Sequence, residues 1–259
     1  MPADDELLID RPGDGVAVLT LNRPAQHNAV TMALQSTLDT ALSELEQDPD
    51  VRAVVLTGSG ERAFSAGYDL KEMADWDADE LLLSLLQREE WLGHLATTPL
   101  PVVAALNGLA YGVGAIMASA ADVRIGGPAS VLRFTAGAHG GANATWSLPG
   151  IVGRGLAAEL LMTARAIEPD EGAAIGLLNR MVAADEVLPA AVAVAAQIAA
   201  NPPEGVRAIK ELVRATAGRT PEEAFAAENL VMRTTLRPRP VREVYATADE
   251  RARRALGDP

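Results

Sequence analysis

The 259-residue chain has no cysteine. Disulfides, thiolate metal sites and a cysteine nucleophile are therefore excluded, and redox chemistry does not fix its compartment. Aromatic residues are scarce, three each of Trp, Tyr and Phe, so a core has to be assembled from Ala, Val, Leu and Ile. Positive charge is also short, with 22 Lys and Arg against 35 Asp and Glu and a net charge of −13. Nucleic acid needs a basic surface to neutralise its phosphates, so none is expected as a partner. One polyanionic ligand gripped by a few local cations remains compatible with this balance.

Long apolar runs are missing as well. The most apolar stretches, at 104–121 and 188–200, are shorter than the roughly 20 residues of a membrane span. The opening MPADDELLID is acidic, unlike the basic start of a secretory leader. No membrane partner and a cytoplasmic location are expected. The three histidines, His27, His94 and His139, are far apart and lack carboxylates at i+4, so no metal site is expected.

What the chain does have is an ordinary globular composition, 49% hydrophobic and 22% charged, and enough length for a substantial core. Residues 7–9 and 16–21 flank the turn RPGDG and read as a hairpin. An amphipathic run over 31–47 predicts a helix, and 51–57 a strand. A leucine-rich helix is expected over 79–96, followed by a strand at 101–106 and another at 122–125. Helices are expected over 189–200, 204–217, 221–235 and 241–256, the last carrying five arginines. Single strands alternating with helices point to crossover units rather than a β-sandwich.

Two stretches stand out, 54–70 (VVLTGSGERAFSAGYDL) and 104–121 (AALNGLAYGVGAIMASAA). Each passes from a strand through a glycine loop towards a helix. Glycine lets the backbone take positive φ and approach a ligand, and a helix start leaves N–H groups without internal partners. One donor from each loop, aimed at one oxygen, can stabilise developing negative charge.

The segments LNRPAQHNA (21–29), FSAGYDL (64–70), NGLAYGVG (107–114) and the helical run 148–181 resemble, in order and spacing, the crotonase superfamily, the enoyl-CoA hydratases and isomerases. The likeness extends from about Leu8 to about Arg254. It implies an α/β fold, a spiral of ββα units shared with the Clp-type peptidases, in a core of 1–195. A C-terminal helical region, 196–259, would drive assembly into a homotrimer or a hexamer. It implies an acyl-CoA thioester as substrate and no separate cofactor.

By that resemblance the oxyanion donors are the N–H groups of Tyr68 and of Val113, which stands where the family usually has glycine. Losing one such donor commonly costs about 3–4 kcal/mol. CoA would be bound around Arg23, Ala66 and Lys71. Gly67, Asp69, Gly112, Gly114, Ile116 and Arg133 are the positions expected around the substrate. The family's usual carboxylates have no counterpart here: Ile116 takes the first position, Arg133 or, with a gap, Thr135 the second, and Gly141 the position of some isomerases' aspartate. Hydration needs an acid and a base, each contributing about 10²–10⁴-fold.

His139, in the same loop, is the remaining candidate, with a plain surface-loop histidine as its alternative. Asn143 and Thr145 are candidates for orienting a polar group of the substrate, with stabilisation of the loop as the alternative for each.

Three functions are therefore open: an acyl-CoA enzyme with a non-standard reaction, an acyl-CoA-binding protein without catalysis, and a serine hydrolase on a related spiral. The last needs a serine at the second helix start, where Ala115 and Ile116 stand and Ser119 lies further on.

Overall fold

A computed structural model describes residues 6–236, 240 and 241. The helix expected over 241–256, with Arg251 and Arg254, lies outside the described residues except for Val241. Strand β1 (Leu7–Gly13) returns antiparallel into β2 (Val16–Leu21), and the turn residues Gly13, Asp14 and Gly15 all have positive φ. Helix α1 (Met32–Gln47) starts where the Thr31 hydroxyl accepts the Leu34 N–H at 3.0 Å. This is the cap that a threonine before an apolar periodic run predicts.

The chain then makes the same move three times, a strand, a shorter strand and a helix. The first turn is β3 (Ala53–Gly58), β4 (Ala63–Ser65) and α2 (Ala78–Thr97). The second is β5 (Val102–Leu106), β6 (Leu109–Tyr111) and α3 (Val113–Ala120). The third is β7 (Val123–Gly126), β8 (Leu132–Arg133) and α4 (Leu148–Val152). There follow α5 (Arg154–Thr163), α6 (Pro169–Ala174), β9 (Arg180–Met181), α7 (Val187–Ala199), α8 (Pro203–Ala215) and α9 (Pro221–Thr234). The long strands form one sheet in the order β1-β2-β3-β5-β7-β9, parallel from β2 onward, and the short strands a second parallel sheet, β4-β6-β8.

Alternation along the long strands divides the core, because successive side chains face opposite ways. Leu19, Leu21, Val54, Leu56 and Leu106 pack with Leu34, Leu38 and Leu42 of α1. Val18, Val55, Val103 and Ile125 pack on the other face against Val187, Ala191 and Ala195 of α7. Both faces are covered, so β3 and β5 are buried throughout, and the one polar side chain, Thr57 of β3, donates its hydroxyl to Ala105 O at 2.9 Å. Phe64 and Phe134 are the largest of the fully buried side chains.

Contacts divide the chain into two units, Met1–Lys210 and Glu211–Pro259. In the first, Lys210 is buried with its Nζ 2.7 Å from Asp122 Oδ2 and donating to Leu100 O at 2.6 Å. In the second, α9 opens with a capping box between Thr220 and Glu223. Among the described residues no helix is long and apolar enough to cross a membrane, and no group of three or more His, Cys, Asp or Glu is placed to hold a metal ion.

Candidate active site

The segment 21–29 forms a strap that holds the first glycine loop. Asn28 is fully buried at φ 54°, and its Nδ2 donates to Ala63 O at 2.8 Å and Ser59 O at 3.0 Å. The Ser65 hydroxyl donates to Asn28 O at 2.8 Å, and Ala66 N–H to His27 O at 2.9 Å. Val30 N–H donates to Gly67 O at 2.8 Å and Asp69 N–H to Val30 O at 2.9 Å. Arg23 closes the strap, with Nη1 on Ala29 O at 2.6 Å and on Asp69 Oδ2 at 3.0 Å, and Nε on Glu6 at 2.9 Å.

Burial pushes the Asp69 carboxyl up, but the Arg23 hydrogen bond and the N–H groups of Lys71 and Glu72 outweigh it and hold it below the usual carboxylate range. Asp69 is thus an ionised strut of the loop. Ala66 and Lys71 are exposed beside it.

Tyr68 is fixed from its far end. Its hydroxyl donates to Gln35 Oε1 at 2.8 Å, Gln35 Nε2 donates to Gln87 O at 3.1 Å, and the Arg88 guanidinium stacks 4.1 Å from the ring centroid. Burial raises the phenol well above its ordinary value in spite of Arg88, so the ring stays neutral. Sequence reasoning found Tyr68 through its motif and missed Gln35 and Arg88, whose approach is a tertiary event.

The second loop turns at Gly112, φ 53° and ψ −120°, immediately before α3. Positive φ falls on Gly112 and not on Val113, so a branched residue is accommodated where the family usually has glycine. Gly112 N–H donates to Arg133 O at 3.0 Å, which ties the loop to β8. Arg133 itself is directed away, with Nε on Ala164 O at 2.7 Å. Arg124, buried, caps the other end of α3 with Nη1 on Ala121 O at 2.5 Å and Ala118 O at 3.3 Å, and burial pushes its guanidinium down to about 10. A cation at a helix C-terminus is favourably placed against the helix dipole.

The two loops meet back to back. A Cβ on Gly67 would lie 3.1 Å from Tyr111 O and 3.7 Å from Gly112 Cα, and one on Gly114 would lie 2.4 Å from Ser65 O. Only glycine allows this approach. Neither Tyr68 N nor Val113 N has a hydrogen-bond partner among the described residues, while their neighbours Asp69 N and Gly112 N do. The N–H of Val113 heads a helix, where the first N–H groups have no internal acceptor. Thr135, not singled out as an active group in the sequence, has its Oγ1 beside Gly112.

From Thr135 the chain enters a cavity of about 600 Å³ between the loop and α5, walled by Ala136, Gly137, Gly141 and Ala142 and, from α5, Ala157 and Ala158. Asn143, Thr145 and Arg154 are its polar side chains. Ile116 is buried inside α3. His139 is exposed at the end of the 3-10 turn Ala136–His139 and does not line the cavity. Ser119 is buried with its hydroxyl shared between Ile116 O and the Ser147 hydroxyl, with no histidine beside it.

These features define an α/β protein of ββα repeats with two glycine loops closed onto each other and two free main-chain donors. Residues 11–252 match the enoyl-CoA hydratase/isomerase family profile. The short-chain-enoyl-CoA hydratase of Clostridium acetobutylicum is 34% identical over 216 residues, 81% of each chain. The crystal structure of an enoyl-CoA hydratase from Bacillus anthracis superposes with a TM-score of 0.88 at 29% identity, covering 95% of this chain and 96% of that one. That of an enoyl-CoA hydratase from Mycobacterium smegmatis gives 0.83 at 30% identity, covering 95% and 96%. The chain belongs to the enoyl-CoA hydratase/isomerase family, and its fold is that of the crotonases.

Proposed function

We propose that the protein binds an acyl-CoA thioester with the thioester oxygen held between the N–H groups of Tyr68 and Val113, and acts on the resulting enolate-like state by a reaction other than ordinary hydration. The observation that carries this is the closed pair of loops with one unpartnered N–H on each. Main-chain donors fixed before the reaction stabilise charge without reorganisation. Lys71, exposed and without an ion pair among the described residues, is the cation for a CoA phosphate, and Ala66 lies along the adenine.

Ile116, buried in α3, and Arg133, turned onto Ala164 O, supply no carboxylate to the substrate. His139 is the candidate proton carrier and has to move towards the cavity to act. The absence of Asp, Glu and His from the cavity wall favours a second reading, an acyl-CoA-binding protein without catalysis. Assembly as a trimer or a pair of trimers and a cytoplasmic site of action complete the proposal.

The two readings separate on one assay. Loss of conjugated-thioester absorbance is followed with crotonyl-CoA and a medium-chain enoyl-CoA, beside α-proton exchange of butyryl-CoA in deuterated water. The enzyme reading expects exchange without fast hydration, reduced at least tenfold in His139→Ala. Saturable binding with neither reaction supports the binding protein, and no binding at micromolar concentration refutes both.

A further inference from the structure

The cavity beside the second loop has a chemistry that a hydrocarbon acyl chain does not use. Its small wall residues leave room, and its volume of about 600 Å³ falls within the range of small-molecule pockets. Each of its polar side chains, Asn143, Thr145 and Arg154, can donate a hydrogen bond, and no residue of its wall is a carboxylate. Arg154 is exposed at the start of α5, and its guanidinium makes no ion pair or hydrogen bond among the described residues, in a chain with 35 acidic residues. Asn143 Oδ1 is buried without a partner.

An anion in the cavity would receive the Thr145 hydroxyl and the Arg154 guanidinium, each as a charge-assisted hydrogen bond. A methyl terminus would receive neither of them.

We propose that this cavity takes the far end of an acyl chain carrying its own carboxylate, so that the preferred ligand is the CoA thioester of a dicarboxylic acid. The inference rests on the acyl-thioester reading above and adds the class of acyl group. Thr135, between Gly112 and Ala136, places the cavity entrance next to the loop that would hold the thioester oxygen.

Calorimetric titration of the full chain with hexanoyl-CoA and adipoyl-CoA, equal in length and different only in the terminal carboxylate, tests it. An exposed ion pair alone gives up to about fivefold, and the added hydrogen bonds bring the expected preference for adipoyl-CoA to about tenfold. Arg154→Met and Thr145→Val should each bring the two affinities within about twofold of each other, and added salt should narrow the wild-type difference. Equal or tighter binding of hexanoyl-CoA, or a preference that survives both substitutions, overturns the dicarboxylate assignment and leaves the thioester reading standing. Binding of neither thioester overturns both.

Discussion

Arg23 and Lys71 are two cations on neighbouring segments with opposite fates. Arg23 is mostly buried and spends its guanidinium on Asp69, Glu6 and Ala29 O, whereas Lys71 extends into solvent. Arg23→Met should therefore lower the unfolding midpoint by several degrees, since it leaves the Asp69 carboxylate without its partner. Lys71→Met should leave the midpoint within about 1 °C, as an exposed substitution does, and raise the Kd for CoA thioesters by about two- to fivefold. Thermal unfolding and calorimetry on the two variants check this, and a stability loss in Lys71→Met with no change in Kd would refute the assignment.

That Tyr68 and Val113 stand with unpartnered N–H groups beside a glycine turn was legible at this scale, because glycine placement and helix starts are written in the chain. Asn28 and Arg88 were not legible in the roles they play. Asn28 works through carbonyls about 30 residues away, and Arg88 through a ring on another element.

At the scale of elements, the strands β1, β2, β3, β5 and β7 and the helices α1, α2, α7, α8 and α9 follow from apolar periodicity, whereas β9, two residues at the end of the run 148–181 expected to be helical, does not. The second sheet does not. Strands β4, β6 and β8 have three, three and two residues, too few to display a period of two. Yet these strands set the two glycine loops side by side, and β6 and β8 set the position of Gly112.

A different element-level contact depends on pH. His94 on α2 faces α1, with Nδ1 2.6 Å from Asp39 and Nε2 3.1 Å from Glu46. Burial pushes its imidazole down, but the Asp39 hydrogen bond and the Glu46 charge outweigh that and raise it above the ordinary histidine value. A group with a raised folded value contributes stability that is complete below its unfolded value, about 6.5, and is lost as the pH rises through the folded one. His94→Gln should lower the unfolding midpoint by about 2–4 °C near pH 6, with the deficit shrinking towards pH 9. Midpoints measured across that range decide it, and a deficit that grows with pH would contradict the pairing.

For the whole molecule, the helix α9 of the second unit leaves Phe225, Leu230 and Met232 exposed at 66%, 61% and 49%. Large exposed apolar groups clustered on one helix mark an interaction surface. This supports the proposed assembly of identical subunits through the C-terminal helices, a property that the sequence suggested only by resemblance, since periodicity marks an apolar face and not what covers it. Sedimentation equilibrium should give three or six times the chain mass, and Phe225→Asp should shift the population to monomer. A wild-type monomer at micromolar concentration would contradict the assembly.

The account as a whole turns on whether the thioester oxygen is held by Tyr68 N–H and Val113 N–H. Isotope-edited infrared difference spectroscopy of hexanoyl-CoA labelled with ¹³C at its carbonyl reads that contact directly, whether or not the bound thioester reacts. Two donors on the oxygen should move the carbonyl stretch to lower frequency on binding. Gly67→Ala, which forces a Cβ against Tyr111 O at a φ of 106°, should remove most of the shift. A bound thioester whose carbonyl absorbs where the free one does would contradict the central claim.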